Sequence, residues 1–168
     1  MLCNRPDCGV RYPVVDGVPV LINDRNSVFR RDDFVCRRTT TLDWRSRRLK
    51  DALLRLVPAI GNNVGAKRNY ETLLHLLTSL SPAPRVLVLG GSILGKGMKS
   101  LASNASLDLI DSDVSFGPRT MLICDAHDIP FADGSFDGVI VQAVLEHVVD
   151  PYRCAEEIHR VLRDGGLV

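Results

Sequence analysis

The sequence predicts an α/β fold: a doubly wound, mostly parallel sheet of about four to five strands, preceded by a small N-terminal β-hairpin. Three observations predict it. Four short apolar runs, Val86 to Leu89, Leu107 to Ile110, Met121 to Cys124 and Phe136 to Val141, lack the alternation of a half-exposed sheet and read as parallel strands covered on both faces. Stretches with apolar residues at helical spacing precede the first run and follow the last. The first run opens into Gly90-Gly91-Ser92-Ile93-Leu94-Gly95-Lys96-Gly97, where glycines let the chain turn sharply and leave backbone accessible to a ligand.

The first stretch, residues 1–24, holds Cys3 and Cys8 around a turn-prone Asn-Arg-Pro-Asp, then two β runs joined by Asp16-Gly17, the signature of a hairpin. Cys3 and Cys8 are its candidate metal ligands. A structural zinc site needs four ligands and no second cysteine pair follows, so a metal-free hairpin is the expectation. Residues 25–60 form a basic linker in which Arg25, Arg30, Arg31, Arg37, Arg38, Arg45, Arg47, Arg48, Lys50 and Arg55 are half offset by aspartates, as on a solvated face. Leu49, Leu53, Leu56 and Val57 place an amphipathic helix over 42–57, ending before Pro58.

Residues 61–168 carry the core. Tyr70, Leu73, Leu74, Leu77 and Leu80 form the stripe of a helix that Pro82 and Pro84 stop. The strand and glycine loop follow, with a short helix starting near Met98. The second strand leads to Asp111 and Asp113. An acid about 20 residues beyond the glycine loop is placed to accept from ribose hydroxyls, and both remain candidates. The third strand ends in Asp125-Ala126-His127-Asp128 and the fourth in Gln142 to His147. Asp150 is a natural N-cap with Pro151 behind it, and Ala155, Ile158 and Leu162 form the stripe of a helix closed by Gly165-Gly166. Leu167-Val168 would then open a fifth strand. With the chain reading as cut short there, the fourth strand becomes an exposed apolar edge, and self-association through it is expected.

Composition limits the function. The net charge is +1 and 45% of residues are apolar, which gives no general attraction to nucleic acid or anionic membrane. No run of about 18 apolar residues exists to span a membrane, and no secretory signal opens the chain. Five cysteines, three of them the scattered Cys36, Cys124 and Cys154, argue against a disulfide framework and for a cytoplasmic location. The loops at the carboxyl ends of the strands carry acids and, besides Lys96, no cation. That suits a neutral nucleoside bearing a positive charge better than a dinucleotide pyrophosphate, and disfavours a nicotinamide-dependent oxidoreductase.

The run Asp125-Ala126-His127-Asp128-Ile129-Pro130-Phe131-Ala132-Asp133-Gly134-Ser135-Phe136-Asp137 resembles the D-A-x-x-L-P-F-x-D-x-S-F-D signature of class I S-adenosylmethionine-dependent methyltransferases, the type 11-like group. Leu145-Glu146-His147 and Arg160-Val161-Leu162-Arg163-Asp164-Gly165-Gly166 are similar to further stretches of that family. The resemblance implies a Rossmann-like sheet with S-adenosyl-L-methionine as cofactor. Gly90, Gly91, Ser92 and Gly95 would line its methionine moiety, Asp113 (Asp111 as alternate) would hold the ribose, Asp125 and Ala126 the adenine, and Gln142 would close the site. Ser92 stands where the family has a glycine. The implied reaction is methyl transfer to an unidentified acceptor, small molecule or otherwise, with His147 the candidate base. The alternative is a truncated or degenerate module that binds the cofactor without turnover. The N-terminal stretch Cys8-Gly9 to Leu21 resembles the C-terminal half of a small zinc-ribbon-like domain fused to, or activating, some methyltransferases.

Overall fold

The computed structural model describes residues 1, 3, 9–36, 64–141 and 143–168. The helix expected over 42–57, most of the linker arginines, Cys8 and Gln142 lie outside the described residues. At the N-terminal end, β1 (Val14–Val15) and β2 (Val18–Pro19) pair antiparallel. Asp16 and Gly17 between them hold φ of 50° and 84°, the two left-handed residues that a tight hairpin turn requires. A short helix α1 (Arg31–Val35) follows.

The core contains α2 (Val64–Leu80), β3 (Arg85–Leu89), α3 (Lys99–Ala102), β4 (Asp108–Asp113), β5 (Leu122–Ile123), β6 (Phe136–Val141), α4 (Pro151–Val161) and β7 (Leu162–Leu167). Five strands form one parallel sheet in the order β5-β4-β3-β6-β7. Side chains of β3 alternate between two cores, as successive residues of a strand must. Val86 and Val88 pack with Leu77 of α2, Leu101 of α3 and Ile140, whereas Leu87 and Leu89 pack with Phe136, Val139, and Cys154, Ile158 and Val161 of α4. Helices therefore cover both faces. The approach of α2 is close because position 138 is glycine: a Cβ there would lie 2.9 Å from the Leu77 methyl.

Two elements differ from the sequence expectation. The second strand continues past Ile110 to Asp113, because Ser112 pairs with Leu89 on one side and Leu122 on the other, and two ladders keep a polar backbone extended. The last helix stops at Val161. Leu162, expected on its buried stripe, is extended (φ −76°, ψ 142°) and begins β7, paired with Phe136, while Leu167 pairs with Gly138 across an irregularity. Gly165, at φ 76°, turns the chain inside this strand and does not cap the helix. Consequently β6 is flanked by β3 and β7, and the exposed edge expected on the fourth strand is not there. The N-cap of α4 is as expected: Asp150 Oδ1 accepts from Tyr152 N and Arg153 N, both at 3.1 Å.

The N-terminal segment docks on the opposite flank. Val20 bridges Ile123 in parallel and Leu21 N donates to Ile123 O at 2.8 Å. Val20, Ile22 and Phe34 bury themselves with Ile123 in a third apolar cluster that also takes Phe29 and Phe116. No described helix is long and apolar enough to cross a membrane.

Candidate functional site

Parallel α/β sheets present ligand sites beyond the carboxyl ends of their strands. Here that end gathers the glycine loop after β3, the tip of β4, the loop 124–130 after β5 and the turn after β6. Gly90 turns the chain out of β3 at φ 76°, and Gly91 N then donates to Ser112 O at 2.8 Å. A Cβ on Gly91 would lie 2.9 Å from Asp111 Oδ1, so only glycine lets the loop press against β4. Ser92 does not need to be glycine, since its φ is not left-handed. Its N–H donates to Asp113 Oδ2 at 3.1 Å. Gly95 O accepts from Met98 N at 3.2 Å and closes the loop onto α3.

The geometry separates the two acids of β4. Asp111 is 5% exposed and Arg119 Nη2 reaches its Oδ2 at 2.6 Å. Burial pushes its carboxyl above the ordinary value, and the Arg119 charge opposes this. Arg119 is a second cation at this end of the sheet, so the expectation of no cation besides Lys96 is corrected. Its signal in the sequence was slight, a lone arginine after Gly117-Pro118, and only the fold returns it to Asp111. Asp113 ends the strand half-buried, with Ser115 Oγ donating to Oδ1 at 2.8 Å and Ser92 N to Oδ2. A carboxylate offers about four acceptor positions, so one on each oxygen of Asp113 is left by these contacts.

Asp125 is 2% exposed and takes four donors. Oδ2 accepts from Ser27 Oγ at 2.6 Å and Val28 N at 2.9 Å, and Oδ1 from His127 N at 2.9 Å and His127 Nδ1 at 2.7 Å. Asp150 N donates to His127 Nε2 at 3.1 Å, so the ring is neutral with its proton on Nδ1. His127 thus ties the start of α4 to Asp125. Ser27, Val28 and Arg119 are the site neighbours that sequence reasoning missed. The sequence places His127 at this end of the sheet as a weaker candidate base than His147, and the structure gives its ring to Asp125 and Asp150 N. Ala126 is buried beside Asp125, and Ala143, after β6, holds a left-handed φ of 54°. Strained backbone of this kind concentrates at functional loops. His147 is exposed on the turn after β6, its N–H donating to Val144 O. Among the described residues no cluster of three or more His, Cys, Asp or Glu could hold a metal, and the pairing of Cys3 with Cys8 falls outside them. The buried thiols of Cys124 and Cys154 are pushed up to about 12 and about 11, burial first, and stay protonated.

These carboxylates set an acid limb. Burial raises the Asp125 carboxyl, but Ser27, His127 and Val28 outweigh it and hold it below its ordinary value; Glu157 is likewise lowered by Arg160 and Ile129 N against its burial. Both stabilise the fold fully above the unfolded carboxylate range of about 4 and lose that contribution as pH falls through the lower folded values. Asp111, raised, acts with the opposite sign. Urea midpoints measured against pH should be flat from about 7 to 5 and fall below about 4. In the Asp125→Asn, Glu157→Gln double variant the fall should be shallower.

Residues 85–168, half of the chain, match the family described as Methyltransferase domain. The chain belongs to that family. Among relatives of this methyltransferase-domain chain, an uncharacterized 37.1 kDa protein of a Streptomyces fradiae transposon is 34% identical over 115 residues, 60% of this chain and 33% of that protein. The demethylmenaquinone methyltransferase of Symbiobacterium thermophilum is 34% identical over 97 residues, 55% of this chain and 35% of that enzyme. The chain thus spans about a third of the length of these relatives. The fold is shared with a putative S-adenosyl-L-methionine-dependent methyltransferase of Methanococcus maripaludis, at 18% identity and a TM-score of 0.52 over 76% of this chain and 63% of that one.

Proposed function

We propose that this chain binds S-adenosylmethionine at the carboxyl end of its sheet and serves methyl transfer to an acceptor. The single observation that carries the reading is the pairing of Asp113 with the glycine loop. Ser92 N holds the carboxylate beside Gly90 and Gly91, and each oxygen keeps an acceptor position for a ribose hydroxyl. Asp113 and the glycine loop fit the group. Asp113 takes the ribose, the backbone of Gly90, Gly91, Ser92 and Gly95 runs along the methionine end, and Asp125 with Ala126 takes the adenine once Ser27 and Val28 release the carboxylate. Gln142 is assigned to close the site. Asp111, paired with Arg119, supports Gly91 and is not the ribose acceptor. S-adenosylmethionine supplies a methyl group on a sulfonium, open to in-line displacement by a nucleophile. What the chain contributes is alignment and exclusion of water, and positioning of this kind is worth about 7–11 kcal/mol. A base is needed only where the nucleophile carries a proton to lose; exposed His147 is the residue available to test.

Calorimetric titration with S-adenosylhomocysteine, and separately with NAD, tests the reading. Heat is expected with the first and none with the second. Asp113→Ala should weaken S-adenosylhomocysteine by roughly 100-fold or more, the loss of two hydrogen bonds to a charged group. Equal affinity in wild type and Asp113→Ala would remove Asp113 from the site.

A further inference from the structure

We propose that residues 23–29 form a strap that competes with adenine for Asp125, so that the nucleoside site is held shut until the strap yields. The inference rests on the S-adenosylmethionine reading above. Asp125 is placed to accept from an adenine amino group, yet Ser27 Oγ and Val28 N take one oxygen and His127 takes the other twice. A carboxylate with both oxygens doubly engaged has no position left for an amino group. The His127 contacts come from the same loop and from a ring fixed by Asp150 N. The contacts that can be exchanged are therefore those from the strap, which arrives from nearly a hundred residues upstream.

The strap is built to bridge the site and is not buried in it. Upstream it is pinned by Leu21 N on Ile123 O, and downstream by Phe34, 2% exposed, against Phe29 and Phe116. Between these anchors Asn26 N and Ser27 N both donate to Asn23 O, making a turn, and Asn23 Nδ2 donates to Asp128 Oδ2 at 2.9 Å. Val28 is 48% exposed while the carboxylate under it is 2% exposed, so the cover is one residue thick. Residues 22–26 also line a cavity of 570 Å³ with Val10, Tyr12 and Arg31, so among the described residues the segment is not packed on every side. Breaking two hydrogen bonds exposes Oδ2 while both anchors stay in place. Adenine would then take the acceptor that Ser27 and Val28 give up.

The test is titration of the full chain with S-adenosylhomocysteine as wild type, Ser27→Ala and Val28→Pro, with amide exchange at Val28 followed in the wild type. Each variant removes one donor to Asp125 from the closed form, and Ser27→Ala also takes the acceptor of Phe29 N, so affinity should rise by roughly tenfold. The Val28 amide of the wild type should exchange faster once S-adenosylhomocysteine is bound. If all three chains bind equally, or the variants more weakly, and Val28 stays protected, the strap is not a competitor while the cofactor reading stands. If none of the three binds, the cofactor reading fails, and the strap proposal with it.

Discussion

Asp125→Ala is expected to destabilise the chain by about 4 kcal/mol, because it leaves buried donors without an acceptor at about 1–3 kcal/mol each. Of the four donors, the N–H and ring Nδ1 of His127 are buried with the carboxylate, whereas Ser27 Oγ can rotate and Val28 lies near solvent. The His127 pair therefore dominates, and the sum is less than four full losses. For a chain of this size each kcal/mol moves Tm by about 2–4 °C, so a fall of about 10 °C is expected. Asp125→Asn should cost less, since it keeps one oxygen as an acceptor. Thermal unfolding of the two variants checks this. An alanine variant as stable as wild type would mean that these hydrogen bonds do not form in solution.

Gly97→Ala is expected to be nearly as damaging, by about 3 kcal/mol, through a different cause. Gly97 holds φ 87°, and a side chain in that region costs about 1–2 kcal/mol. Its Cβ would also lie 2.8 Å from Lys67 N and 2.9 Å from Ala66 C, in the first turns of α2. Backbone cannot swing aside as a side chain does, and overpacking of this kind adds about 1–3 kcal/mol. Gly165→Ala is the control. Gly165 has φ 76° with nothing within 4 Å of the added carbon, so only the conformational part, about 1–2 kcal/mol, should appear. Urea unfolding of both variants isolates the contact. Equal losses would place α2 further from the glycine loop than the structure has it.

The legibility of this fold followed the chemistry of its strands. The boundaries of β3 and β6 lay close to their apolar runs because both strands are covered on both faces; the one acid within them, Asp137, is buried and held by Arg85 N and Arg163. The end of β4 was missed because Asp111, Ser112 and Asp113 carry no strand signal; pairing with both neighbours holds them extended. Leu162–Leu167 reads as a helix end closed by glycines, and only its pairing with Phe136 and Gly138 makes it a strand. The positions of the glycine loop and of Asp113 at the carboxyl ends of β3 and β4 were legible by spacing, since they are contiguous with their strands. The difference between Asp111 and Asp113 was not, because the Arg119 contact that engages Asp111 forms only in the folded chain. The cover over Asp125 was illegible for the same reason: Ser27 and Val28 meet it only when the N-terminal segment pairs with Ile123.

The most direct measurement on the site is a crystal structure of the chain grown with S-adenosylhomocysteine. The account predicts ribose hydroxyls within hydrogen-bonding distance of the Asp113 carboxylate and the amino-acid end along Gly90 and Gly91. It is contradicted if the nucleoside binds elsewhere, for example in the cavity lined by Lys67, Gly97, Lys99 and Ser100, with Asp113 still bonded only to Ser92 and Ser115.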